Sequence, residues 1–191
     1  MPVNAPETNV RQYIPDIWQC IRDPREDDVR TLALQAKNCP QMDMRFIIHQ
    51  IAGRQTAQHK IPSWYATEGI IYPVHLSLEQ CSSELTARYK AGLLNGETFA
   101  DLTGGFGIDC AFLSAGFQHA TYIERQNALC DIATHNSNRL GLRHISVLNQ
   151  DSVEALGKLS PVDCIFIDPA RRNEHGAKTV LISDCEPDVA A

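Results

Sequence analysis

The sequence predicts an α/β protein: a parallel sheet with crossover helices over residues 96–191, preceded by a helical region over residues 1–95. Three observations carry this. In the second half, short apolar runs alternate with helical stretches, a rhythm that implies right-handed crossovers and parallel pairing. In the first half, apolar residues recur at three- and four-residue intervals instead. At the join between the first strand and its helix lies a glycine-rich turn, Asp101-Leu102-Thr103-Gly104-Gly105-Phe106-Gly107.

The helical region reads as four segments. Ile14, Ile17, Trp18 and Ile21 share one face of a first helix, which Asp23-Pro24 breaks. Val29, Leu32, Ala33 and Ala36 repeat the pattern up to Pro40, and Met44, Ile47, Ile48 and Ile51 repeat it again, with Gly53 and Pro62 as punctuation. Ser77-Leu78-Glu79-Gln80 has the form of a capping box. It predicts one helix, with Leu78, Cys81, Leu85 and Tyr89 on its buried face, running to Gly92 and Gly96. Four strands follow, at Thr98–Leu102, Ala120–Ile123, Ile145–Leu148 and Val162–Ile167. The intervening helices are Ile108–Ala115, Asn127–Leu140 and a short one from Ser152. A doubly wound sheet ordinarily has five strands or more. The expectation is therefore a sheet that stops short of completion, with the apolar fourth strand as an edge.

Composition bounds the partners. The charge is −6, unevenly spread: residues 1–95 hold ten basic and ten acidic side chains, residues 96–191 seven and thirteen. Bulk charge would not draw a polyanion to the second half, so a nucleic acid must be held by local groups. Seven scattered cysteines with no CxxC pair read as reduced thiols of a cytoplasmic protein. The seven histidines show no metal-ligand spacing, so no metal site is expected. No run of 18 apolar residues exists to span a membrane, and the first residues lack the basic and apolar segments of a signal peptide.

The glycine turn lets backbone approach a ligand closely. Dinucleotides and S-adenosylmethionine both use such turns, and Asp101 separates them. It stands where a dinucleotide would place its pyrophosphate, and a carboxylate there repels phosphates. An ammonium and a sulfonium would be attracted. Glu124 ends the second strand and suits the ribose hydroxyls of a nucleoside, or else a solvated helix start. Asp151 has two readings that can both hold, an acceptor for an adenine amino group and a cap for the helix behind it. Asp168-Pro169-Ala170-Arg171-Arg172 ends the fourth strand. Proline stiffens that turn, leaving Asp168 to face a pocket, and two arginines could hold a phosphate or base edge. A surface turn with a salt-bridged arginine would look the same in sequence.

As a set, these four strand ends resemble the ordered motifs of class I S-adenosylmethionine-dependent methyltransferases, over about residues 96–175. The resemblance implies a Rossmann-like sheet with S-adenosylmethionine as cofactor. Asp101, Thr103, Gly104, Gly105 and Gly107 would line its methionine end. Glu124 would take the ribose and Asp151 the adenine. Asp168, Pro169 and Arg171 would form the catalytic, substrate-facing side. More narrowly, DLTGGFGID at Asp101–Asp109 and DPARR at Asp168–Arg172 resemble a bacterial group with a helical N-terminal region and a THUMP-like C-terminal region that this chain does not contain. That name points to RNA as methyl acceptor. Arg171 stands where exocyclic-amine methyltransferases carry an aromatic residue, and no Pro-Cys nucleophile suits a cytosine-C5 reaction. The atom methylated therefore stays open.

Two other functions fit parts of the pattern: a nicotinamide-dependent oxidoreductase, and a non-catalytic module that holds S-adenosylmethionine or RNA. Weaker signals lie in the first half. Arg54 and Lys60, followed by Trp64 and Tyr65, could grip single-stranded nucleic acid or form a solvated helix end beside core aromatics. Tyr89 could roof the pocket or pack in the core.

Overall fold

A computed structural model describes residues 44–73, 75–169, 185 and 187. The two helices expected before residue 40, and Arg171 and Arg172, lie outside the described residues.

Helix α1 (Met44–Lys60) buries Ile47 and Ile51 as its apolar spacing requires. It runs on through Gly53 to Lys60, so that glycine does not end it. A Cβ at Gly53 would lie 2.4 Å from the Tyr72 Cβ, so the residue permits close approach instead. Pro62 opens the short α2 (Pro62–Ala66), which places Trp64 in the core.

The single helix expected from Ser77 is two helices, α3 (His75–Gln80) and α4 (Glu84–Ala91). Ser83 is the reason: its hydroxyl accepts from the Thr86 N–H and starts a new helix. The rotation this introduces turns Leu85 and Tyr89 outward, 81% and 71% exposed, rather than onto a buried face.

The remaining elements follow the expected order. They are β1 (Thr98–Asp101), α5 (Ile108–Leu113), β2 (His119–Glu124), α6 (Asn127–Leu140), β3 (Ile145–Asn149), α7 (Ser152–Leu156) and β4 (Cys164–Phe166). All pairs are parallel, in the order β3-β2-β1-β4. The order reverses between β1 and β4, which opens a crevice at their carboxyl ends. Asp163 fixes the start of that pair: its carboxylate accepts from the backbone N–H of Glu97 and Thr98, which holds its pKa down.

Strand alternation sorts the core into two layers. Phe99, Ala120 and Tyr122 face α5 and α6 in one buried cluster, while Leu102 and Ile123 meet Ala155 of α7 on the other side. That second side is thinly covered, and Ile165, Ile167 and Leu148 remain more than a third exposed. Among the described residues β4 pairs only with β1, as expected of an edge.

The helical region and the sheet share a core. Ile61, Trp64, Ile70 and Tyr72 cluster with Phe106, Ile108 and Ile132. Two buried amides reinforce the contact. Asn136 of α6 accepts from the Ile71 N–H and donates to the Ile71 carbonyl, both at 2.9 Å. Gln50 of α1 brackets Tyr72 in the same way at 2.8 Å. The segment 70–72 thus has strand-like bonding supplied by side chains. Asn136→Ala would strand two buried backbone groups and is expected to cost about 2–4 kcal/mol. Urea unfolding checks this, and a loss under 1 kcal/mol would show that the segment docks by apolar contact alone.

Cys81, Cys110, Cys130, Cys164 and Cys185 are free thiols. No helix among the described residues is long and apolar enough to cross a membrane.

Candidate functional site

The site is built on the turn after β1. Asp101 is 1% exposed, and its Oδ1 accepts from the Thr103 N–H at 2.9 Å, which bends the chain away from the strand. Gly104 then lies flat on β2: its N–H donates to the Ile123 carbonyl at 2.9 Å. A Cβ at Gly104 would stand 2.2 Å from the Tyr122 ring, so no larger residue fits. The Tyr122 hydroxyl donates to the Gly105 carbonyl at 2.6 Å and clamps the turn from below. Gly107, at φ +88°, provides the left-handed step into α5. Phe106 swings the other way, into the core against Trp64, with ring centroids 5.1 Å apart.

Glu124 ends β2 beside this turn. Its Oε2 accepts from the Gly105 N–H at 3.0 Å and its Oε1 from the Gln126 N–H at 2.8 Å. The carboxylate is thereby set at the rim of the glycine turn. Asp168 follows β4 across the crevice. Its N–H donates to the Thr103 hydroxyl at 2.7 Å, so the two walls are joined directly. Pro169 is half-buried behind it. The structure therefore gathers Asp101, Thr103, Gly104, Gly105, Gly107, Glu124 and Asp168 at the switch point of the sheet.

Asp151 stands one strand further out. The Gln150 N–H bonds the Glu124 carbonyl, placing Asp151 next in line beyond β2. Its Oδ1 accepts from Val153 at 2.9 Å and Glu154 at 3.3 Å, so it caps α7. The capping half of its double reading is what these bonds show.

Electrostatics distinguish Asp101 from the other acids. Burial pushes its pKa up to about 7, partly opposed by the Thr103 N–H bond and reinforced by the charges of Asp109, Asp168 and Glu124. A dehydrated carboxylate among other carboxylates favours a proton or an organic cation and disfavours a phosphate. Among the described residues no group of three or more His, Cys, Asp or Glu side chains could hold a metal ion.

Two residues of the site had little sequence signal: Tyr122 reads as an ordinary strand aromatic, and Lys90 stands out only as part of Arg88-Tyr89-Lys90, on the helix before β1 that could roof the pocket. Lys90 bonds Asp109 at 3.0 Å and Ser82 at 3.1 Å, and lies 4.9 Å over the Phe166 ring. The basic residues considered for nucleic acid have internal contacts. Arg54 stacks over Tyr65 at 4.6 Å, and the Lys60 ammonium bonds the carbonyls of Leu78 and Glu79 at the end of α3. Trp64 is core, 3% exposed.

No family model and no curated protein matches the sequence. Solved structures do. The crystal structure of a "putative methyltransferase" from Porphyromonas gingivalis W83 superposes with a TM-score of 0.76 at 27% identity, over 95% of this chain and 45% of that one. The chain thus spans less than half the length of that protein. An rRNA methylase from Streptococcus thermophilus aligns with a TM-score of 0.38 at 20% identity, over 43% of this chain and 51% of its own. A protein-L-isoaspartate O-methyltransferase gives 0.41 at 18%, over 73% and 47%. The fold is the Rossmann-like one of the first of these, with four of its parallel strands described here.

Proposed function

We propose that this chain binds S-adenosylmethionine in the crevice between β1 and β4 and serves in methyl transfer to RNA. The observation that carries the cofactor is the buried Asp101 beneath a glycine turn that admits no side chain at Gly104. The site fits a nucleoside with a cationic amino-acid arm. Asp101 would pair with the ammonium, the partly exposed Gly105 would let the arm approach the turn, the buried Gly107 would hold the turn's shape, and Glu124 would accept from the ribose. Asp151 keeps one carboxylate oxygen beyond its capping bonds and lies on the adenine side. A dinucleotide would bring its pyrophosphate against the buried Asp101, where a carboxylate disfavours phosphate.

When bound, the cofactor supplies an activated methyl group on a sulfonium. The chain's own part is alignment. Asp168 is held at the crevice by the Thr103 hydroxyl, where it can orient an acceptor or take its proton. Membership of the DPARR group and the RNA acceptor rest on sequence, on Arg171 and Arg172 beside Asp168 and on the DLTGGFGID and DPARR phrases.

Labelled methyl transfer by the complete gene product to RNA from a strain lacking the gene tests this. Asp168→Ala is expected to lower transfer at least about a hundredfold while changing cofactor affinity less than about threefold, since its partner is the acceptor. Label found in protein or a metabolite, with none in RNA, would reject the RNA acceptor.

A further inference from the structure

Four carboxylates surround the glycine turn, and three of them have their charge answered. Glu124 accepts two backbone N–H groups. Asp168 is exposed to water. Asp109, in the first turn of α5, accepts from Lys90 at 3.0 Å and from the Ser82 hydroxyl at 2.9 Å, and Lys90 itself reaches Ser82 at 3.1 Å. Among the described residues, Asp101 has one backbone N–H and no cation bonded to it. The Lys90–Asp109 pair is largely removed from solvent, with side chains 28% and 13% exposed, so its charges are weakly screened. Ser82 comes from the break between α3 and α4, Lys90 from α4 and Asp109 from α5. The helical region thus delivers its cation to the methyltransferase-like site.

We propose that Ser82, Asp109 and Lys90 form a charge-compensating positioning triad that cancels the second carboxylate near the cation pocket and leaves Asp101 as its anion. This rests on the cofactor reading above. The groups facing Asp101 are Asp109 and Cys110 from α5, Tyr122 and Glu124 from β2, and Asp168 after β4. Lys90 supplies the compensation, through Asp109. Without it the Asp109 charge, answered only by the Ser82 hydroxyl, adds to the field that favours a proton on Asp101 over a ligand cation.

The test is a carbon-13 carboxyl titration of Asp101 in the free chain, paired with calorimetry using S-adenosylhomocysteine. Lys90→Gln is expected to raise the Asp101 midpoint by about one pH unit and Asp109→Asn to lower it by a similar amount. The double variant should return close to the wild-type midpoint, and Lys90→Arg should retain it. Affinity at pH 7 should fall about fivefold in Lys90→Gln, as the ionised fraction of Asp101 drops, and recover in the double variant. A merely structural tie would lower stability in all variants without moving the midpoint in opposite directions. An unmoved midpoint in Lys90→Gln, or a double variant that keeps its full shift, would overturn the triad. Absence of any S-adenosylhomocysteine binding by the wild type would reject the cofactor reading, and the midpoints would still decide the compensation.

Discussion

Asp101→Asn is expected to weaken binding of S-adenosylmethionine at least about tenfold while making the free protein more stable above pH 7. Asparagine keeps the shape and can still accept the Thr103 N–H. It cannot pair with an ammonium, and losing a buried charged hydrogen bond of about 1.5–3 kcal/mol weakens affinity roughly ten- to a hundredfold, before the wider field is counted. The stability effect has the opposite sign. With a folded pKa raised to about 7 from an ordinary 3.8, Asp101 stays protonated in the folded chain while the unfolded chain ionises. Stability associated with this group is full below pH 3.8 and is lost as pH rises to about 7. Asparagine carries no such loss. Thermal melts should therefore show the variant ahead at pH 8, by up to about 4 kcal/mol, and close to wild type near pH 4. A variant less stable at both values would mean that Asp101 is ionised and well compensated in the free protein.

Gly104→Ala should remove binding by a different route. The added methyl meets the Tyr122 ring, which is 1% exposed and fastened by its hydroxyl to Gly105. The ring has nowhere to move, so the turn must lift and release its bond to Ile123. We expect a loss of about 2–4 kcal/mol and no measurable cofactor binding. Circular dichroism melts and calorimetry check both. An alanine variant that binds normally would show that the turn need not lie on β2.

Much of the sheet was legible because its signals are local. Strand runs bounded by Gly107, Gly141 and Gly157 and the apolar periodicity of α6 leave little choice of element. Parallel pairing follows from crossover length. The glycine turn and the acids at the strand ends could be found because each sits at a fixed place relative to a strand. The helical region was harder to read. Leu85 and Tyr89 hold core spacing, yet Ser83 restarts the helix and rotates them into solvent. Ser77, expected to cap, lies inside α3, which starts at His75, and the serine that caps is Ser83; its neighbour Ser82 bonds Asp109, 27 residues away. Tyr122 and Lys90 likewise gain their roles only from neighbours distant in sequence. Asn136 did leave a trace. It occupies the apolar face shared by Leu129, Ile132 and Ala133, and a polar residue at such a position has a buried partner to find.

The central claim is that the crevice takes a cationic nucleoside and no dinucleotide. Titration calorimetry of the chain with S-adenosylhomocysteine and with NAD, at pH 7 in two buffers of different ionisation enthalpy, tests it most directly. The account predicts one S-adenosylhomocysteine bound per chain and release of a fraction of a proton as Asp101 ionises, with no heat of binding from NAD. Binding of NAD, or binding of S-adenosylhomocysteine without proton release and undiminished in Asp101→Asn, would contradict it.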